Sequence, residues 1–304
     1  MTSRPGPAER AARLLTGHAT TAGYLAAWRL VRAVPERTSR SAFDRIADRV
    51  YAGDGKGVQR LRANLARVVP DAHLEDTVHA GLRSYFRYWC ESFRLPSWPM
   101  DDLVRRTRIV DERFVRAAAE AGDGIVVPLP HMGNWDWAGA WACSELQPLM
   151  TVAERLRPER LYDEFIRYRA SLGMHVLPLT GGQPPMGHLE SWVGAGGLVC
   201  LLGDRDLSRT GVEVDLVGER ARVPVGPAVI ARRTGAALVP ATLHYEGETM
   251  VVRFHEPVPH VEGYDGIVTM TQQVTDVFTE AIRDHPQDWH MMQKVFVADL
   301  EVRR

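Results

Sequence analysis

His131-Met132-Gly133-Asn134-Trp135-Asp136 places an imidazole and a carboxylate five positions apart across a glycine. The apolar run Gly124 to Pro130 precedes it and the Ala/Trp-rich segment Trp137 to Leu146 follows. That order reads as strand, tight turn, helix. His131 then stands at the C-terminal mouth of a buried strand, with Asp136 in the first turn of the next helix. The turn folds the chain back so that the two can meet. An imidazole held by a carboxylate is a general base, and beside a cleft it can activate a hydroxyl. Read singly, each residue also has a structural use: Asp136 complements a helix N-terminus and Asn134 suits its cap.

The elements that must position this pair alternate. Strands are predicted at 108–110, 124–129, 149–153, 174–179, 198–202, 237–244 and 250–255, with helices at 112–121, 158–172, 188–194, 226–234 and 268–284. This predicts an α/β fold with a mostly parallel central sheet flanked by helices. Residues 1–105 read as a helical N-terminal region of the same domain, able to lie against a membrane, and 106–304 as the α/β catalytic core. Helices are expected at 41–50, 58–69 and 77–93, the last rich in aromatics (Tyr85, Phe86, Tyr88, Trp89, Phe93) that suit a core. In open α/β sheets active groups gather at the carboxyl ends of strands. Besides His131 and Asp136, such ends carry Glu154-Arg155, Thr180-Gly181-Gly182 and Asp204-Arg205-Asp206.

Composition narrows the classes. A hydrophobic content of 45% with 25% charged residues is ordinary for a globular chain of 304 residues. No apolar run reaches the length of a bilayer span, and the first residues lack the apolar core of a secretory signal. Cys90, Cys143 and Cys200 are far apart in apolar segments, which predicts buried free thiols in a reducing, cytoplasmic setting. Residues 1–70 hold 13 basic against 5 acidic residues, a net of +8, and the remainder 24 against 33, a net of −9. A basic N-terminal third suits an anionic membrane surface, and a solvated basic face fits equally. Tyr24, Trp28 and Val31 share one helical face beside Arg29 and Arg32, so that helix could lie in a lipid interface or pack on the core. No nucleic-acid partner is expected.

Other chemistries lack their motifs. There is no Gly-x-Ser-x-Gly elbow, no zinc pattern, no Walker A loop and no dinucleotide fingerprint. No metal and no cofactor are expected. What remains is base-assisted transfer to a hydroxyl.

The block Pro130 to Asp136 resembles the signature of the lipid A late acyltransferase superfamily, and within it the chain most resembles the actinobacterial phosphatidylinositol mannoside acyltransferases. The likeness extends through Thr151-Val-Ala-Glu-Arg-Leu, Tyr168-Arg-Ala-Ser-Leu-Gly, Leu177-Pro-Leu-Thr-Gly-Gly, Asp204-Arg-Asp-Leu-Ser-Arg and His285-Pro-Gln-Asp-Trp-His290, covering nearly the whole chain. It implies a peripheral enzyme at the cytoplasmic face of the plasma membrane. That enzyme would move a long acyl chain from acyl-CoA, such as palmitoyl-CoA, onto the mannose of a phosphatidylinositol mannoside. Two departures stand out. Arg29 and Arg32 interrupt the best candidate for the N-terminal anchor that many relatives carry. Where mannoside acyltransferases tend to show Glu-Arg-Asp, this chain has Asp204-Arg205-Asp206, a carboxylate shortened by one methylene.

On this reading His131 takes the proton of the acceptor hydroxyl as the oxygen attacks the thioester, and Asp136 orients the ring. Backbone N–H groups near the motif or an arginine would hold the oxyanion. Glu154, Arg169, Asp204 and His290 are candidate contacts to the sugar, and Arg205 and Arg209 could meet a phosphate. An apolar tunnel must take the chain, with Trp135, Trp137 and Trp141 as candidate walls. Another glycolipid acceptor, or water in an acyl thioesterase, is the alternative.

Overall fold

The computed structural model describes Gly23 and residues 28–155, 159–180, 184–207 and 210–300, without the side chain of Leu161. Residues 28–33 are helical. Then come α1 (Glu36–Ala52), α2 (Lys56–Leu65), α3 (Asp71–Arg94) and α4 (Met100–Arg105). α1, α2 and α3 start earlier than the apolar pattern suggests, α1 and α3 directly after Pro35 and Pro70, and α4 was not foreseen. Proline's fixed φ suits the entry to a helix, where its missing N–H is not needed.

The α/β part runs β1 (Thr107–Val110), α5 (Arg113–Ala121), β2 (Ile125–Leu129), α6 (Trp135–Glu145), β3 (Leu149–Ala153), α7 (Glu159–Ser171) and β4 (His175–Pro178). It continues with α8 (Met186–Gly194), β5 (Leu198–Leu202), β6 (Val212–Leu216), β7 (Glu219–Val223), α9 (Gly226–Thr234), β8 (Ala237–Leu238), β9 (Ala241–Glu246), β10 (Thr249–Phe254), α10 (Gly263–Asp284) and α11 (Val297–Leu300). Five strands form an all-parallel sheet in the order β4-β3-β5-β2-β8. β2 is buried at every position, as a strand covered on both faces must be. The mixed α/β architecture with a helical N-terminal region is the one the alternating pattern predicts.

Two details differ from that pattern. The expected strand at 237–244 is divided: β8 stays in the parallel sheet, while β9 joins β10 and β1 in a separate sheet of order β1-β10-β9. Pro240, which has no N–H to give a ladder, sits at the break. The hairpin β6–β7 was not foreseen. It turns through Val217 (φ 54°) and Gly218 (φ 96°), the pair of left-handed residues that a two-residue turn requires.

The N-terminal helices share the core of the sheet. Leu61, Leu65, Val78 and Leu82 belong to one apolar cluster with Val126, Val199, Phe278 and Trp289. Trp28 and Val31 are buried: the Trp28 ring packs on Phe93, Phe165 and Tyr168, and its Nε1–H donates to the Phe93 carbonyl at 2.8 Å. Of the two placements open for that face, these two residues take the packed one; Tyr24 lies outside the described residues. Leu30, on the other side, is 63% exposed. Among the described residues no helix is long and apolar enough to cross a membrane.

Candidate active site

Strand register explains the centre of the site. β2 and β5 are adjacent and parallel, with Leu129 opposite Leu202. His131 and Asp204 each lie two residues beyond that pair, so the two side chains leave neighbouring strand ends at the same height. His131 Nδ1 is 2.6 Å from Asp204 Oδ1, and the His131 backbone N–H donates to Asp204 Oδ2 at 2.9 Å. Trp289 Nε1–H donates to the same oxygen at 3.0 Å. Asp204 is fully buried. Burial favours its neutral form, but the His131 charge and three hydrogen bonds outweigh that and hold its pKa below the usual carboxylate value. An ionised carboxylate only accepts, so Nδ1 carries the proton and Nε2 keeps its lone pair in the neutral ring. The His131 side chain is 21% exposed, which leaves that edge reachable.

The expected His131–Asp136 pair is therefore replaced by His131–Asp204. Asp136, itself buried, receives Arg169 Nε at 2.7 Å and the Tyr88 hydroxyl at 3.1 Å. Both of its oxygens are committed on the far side of the turn. Desolvation lowers the Arg169 pKa, but the Asp136 charge, Tyr88 and the hydrogen bond to Asp136 hold it above its ordinary value. Tyr88 is pushed well up, first by burial and then by Asp136. Asn134 caps α6, accepting from the Trp137 N–H at 3.0 Å, and its amide donates to Glu91.

The other candidates separate. Asp204, expected at the sugar, is buried with both oxygens held by His131 and Trp289. Arg169 is spent on Asp136. His290 is buried: its backbone N–H donates to the His131 carbonyl at 2.8 Å and its ring Nε2 lies 3.0 Å from Ser84 Oγ. The Ser84 hydroxyl itself donates to Asp288 Oδ1 at 2.5 Å, so Nε2 of His290 is the donor to Ser84. Burial, with the His131 charge nearby, pushes the His290 pKa down to about 3. Its main chain thus supports the His131 backbone, while its buried ring is held by Ser84. Glu154 is exposed at the end of β3, one strand beyond Asp204, and Arg205 lines a basic groove. Gly181, Gly182 and Arg209 lie outside the described residues.

The backbone amides of the motif are also engaged. His131 donates to Asp204, Met132 to the Pro130 carbonyl and Gly133 to the Asp288 carbonyl. These three N–H groups near the motif are thus already in use. Gly133 sits at φ +54°, and a Cβ there would come within 3.1 Å of Leu243, which makes glycine the fitting residue.

Trp135 joins His131 to an apolar interior. Its ring lies 5.5 Å from the His131 ring, edge to face, and 4.1 Å from Tyr88. It also lines a cavity of about 40 Å³ with Val127, Leu129, Cys200, Leu243 and Phe254. Trp137 and Trp141 are not among its walls: Trp137 packs on Trp98 and donates to Thr107, and Trp141 packs on Phe254. Sequence reasoning missed Tyr88 and Trp289 as polar partners, although both stood in segments it had marked.

Comparison with known proteins gives a consistent picture. The family model described as bacterial lipid A biosynthesis acyltransferase matches residues 8–297. The chain is similar to a phosphatidylinositol mannoside acyltransferase of Mycolicibacterium smegmatis, 45% identical over 295 residues that cover 95% of each protein. It is similar also to the phosphatidylinositol mannoside acyltransferase of Mycobacterium tuberculosis, 46% identical over 95% of this chain and 92% of that protein.

Proposed function

The chain belongs to the bacterial lipid A biosynthesis acyltransferase family, and from that premise we propose that it moves a long acyl group from acyl-CoA to a mannose hydroxyl of a phosphatidylinositol mannoside. The observation that carries the mechanism is the 2.6 Å contact of His131 with buried Asp204. Nε2 of His131 takes the proton of the acceptor hydroxyl while its oxygen attacks the thioester carbonyl. Asp204 fixes the tautomer and stabilises the imidazolium, and Trp289 and the His131 N–H fix Asp204. The tetrahedral intermediate collapses as the C–S bond breaks, and the thiolate recovers the proton from His131. The thioester is already activated, so the reading needs no cofactor.

The cavity behind Trp135 is the seat that best suits the acyl chain. It is apolar, it borders the base through one ring, and each buried CH₂ contributes roughly 0.8 kcal/mol. Its volume of about 40 Å³ means that a long chain must part the walls to enter. Glu154, exposed at the same strand edge, remains the candidate sugar contact. The enzyme would work at the cytoplasmic face of the plasma membrane, held by the basic N-terminal third at an anionic surface.

The test is purified protein with labelled palmitoyl-CoA and a phosphatidylinositol mannoside, the product read by mass. Transfer of one palmitoyl group to the sugar is expected. Thioester cleavage that the mannoside does not stimulate would replace this reading with a thioesterase. Flotation with anionic vesicles over a salt series tests the surface attachment: salt-sensitive binding is expected, and failure to float at low salt would end that part.

A further inference from the structure

This chain carries 37 basic residues, and only two of them, Lys56 and Lys294, are lysine. Both line the same groove, a depression of about 660 Å³ that also takes in Arg60, Arg205, Gln59 and Met292. The two lysines come from distant parts of the chain. Lys56 opens α2, and Lys294 follows the segment that carries Trp289 and His290. That segment is fastened from below, because the buried Asn64 amide of α2 donates to the carbonyls of Met291 and Gln293 at 2.7 and 3.0 Å.

Charge in the groove is largely uncompensated. Arg60 pairs with Asp299 at 2.7 Å. Among the described residues Lys56, Arg205 and Lys294 form no ion pair. Lys294 Nζ donates to the Asp299 carbonyl at 2.6 Å, which neutralises nothing. Among the described residues Asp206 is the one carboxylate in the lining. Arginines elsewhere on the molecule commonly fold onto carboxylates, as Arg62 and Arg83 do. The lysines instead leave point charges facing the groove, the form of cation suited to phosphate oxygens.

The groove is tied to the reacting centre at two points. Arg205 follows Asp204, the partner of His131, and Met292 lies three residues beyond Trp289, which donates to Asp204. A ligand whose anionic end lay here would need a slender arm to reach His131. Resting on the acyl-CoA reading above, we propose that this groove is a phosphate site holding the phosphorylated nucleotide end of the thioester donor. Two or three unpaired cations match a group with several phosphate charges better than the single phosphodiester of an inositol lipid. Met292 and Leu207 supply apolar surface for a flat base.

The test uses the Lys56→Gln/Lys294→Gln double variant of the full chain. Calorimetry with adenosine 3′,5′-bisphosphate should show binding to the wild type, about tenfold weaker in the variant, as expected for two exposed charge contacts. Glycerophosphoinositol should bind neither protein measurably. If its affinity is the one that falls, the groove belongs to the acceptor and the donor assignment is overturned. If neither ligand responds to the lysines, the groove is not a phosphate site. A kinetic arm compares palmitoyl-CoA with palmitoyl-pantetheine, which lacks phosphate. The ratio of their kcat/KM values should fall about tenfold in the variant, and an unchanged ratio would contradict the proposal. Should no thioester support transfer while the bisphosphate still distinguishes the two proteins, the site stands and the acyltransferase reading fails alone.

Discussion

His131 Nδ1 meets Asp204 Oδ1 at 2.6 Å because the two residues lie two steps beyond a register pair, Leu129 and Leu202, on adjacent parallel strands. Sheet geometry thus sets the imidazole and its carboxylate side by side, with little dependence on loop conformation. It follows that Asp204→Asn should lower kcat by about 10²–10⁴ while the protein stays folded, since an amide can reverse the tautomer that leaves Nε2 free. His131→Ala should lose as much, and the double variant little more, because the two act as a unit. Steady-state transfer assays on variants with wild-type circular dichroism decide this. An Asp204→Asn enzyme that keeps its full kcat would remove the pair from the mechanism.

Asp136 should answer differently. Its carboxylate holds Arg169 and the Tyr88 hydroxyl in a site where Arg169 has only 16% of its side chain exposed. Asp136→Asn leaves a mostly buried guanidinium without its counter-ion, a change that costs about 3 kcal/mol or more. Tyr88→Phe, which removes one hydrogen bond, should cost about 1 kcal/mol. Urea unfolding of both variants, and of the Asp136→Asn/Arg169→Gln double variant, measures the coupling. The folded fraction of Asp136→Asn should turn over far better than Asp204→Asn. A loss of kcat equal to that of Asp204→Asn, with unchanged stability, would return Asp136 to the chemistry.

The difference between these two carboxylates marks what the sequence could and could not disclose. Strand ends were readable from the apolar runs before His131 and Asp204, and so was the gathering of polar groups there. Strand order was not readable, and it is order that puts β5 next to β2. Proximity in sequence favoured Asp136, five residues from His131, over Asp204, 73 residues away. Tyr88 sat in a helix whose aromatics looked like plain core, and its hydroxyl partner becomes evident only when α3 is packed against α6. Pro240 was visible as a letter that ends a ladder, but not as the point where the chain leaves one sheet for another.

Chain-length preference should follow the cavity behind Trp135. Leu198 lies at the start of β5, opposite Ile125, while His131 lies past the other end of β2. The two ends of this five-residue ladder are roughly 13 Å apart, so Leu198 is at the far end of the space from the base. Ala142→Leu fills the wall and should shift the preferred acyl chain shorter by about two to four carbons. Leu198→Ala should shift it longer, at a cost of about 2–5 kcal/mol in stability. Competition among saturated acyl-CoA substrates of graded length reads both shifts, and the Ala142 variant alone suffices if Leu198→Ala does not fold. An unaltered length profile in Ala142→Leu would place the chain elsewhere.

Acid stability should depend on His290. Its pKa in the folded protein is about 3, lowered by burial and then by the His131 charge, whereas in an unfolded chain a histidine titrates near ~6.5. Above that range both states are neutral and the group contributes no pH dependence. Between the two values the unfolded chain binds the proton and the folded protein does not, so falling pH favours unfolding. The slope from this group approaches about 1.4 kcal/mol per pH unit until the folded pKa is reached. His255, pushed down to about 4 first by burial and then by Arg253, adds a slope of the same sign. His290→Gln can still donate to Ser84 but does not titrate. Unfolding free energies measured from pH 7 to 4 should therefore fall less steeply for His290→Gln than for the wild type, by about one proton's slope. Parallel curves would mean that His290 is already protonated, or open to water, in the folded state.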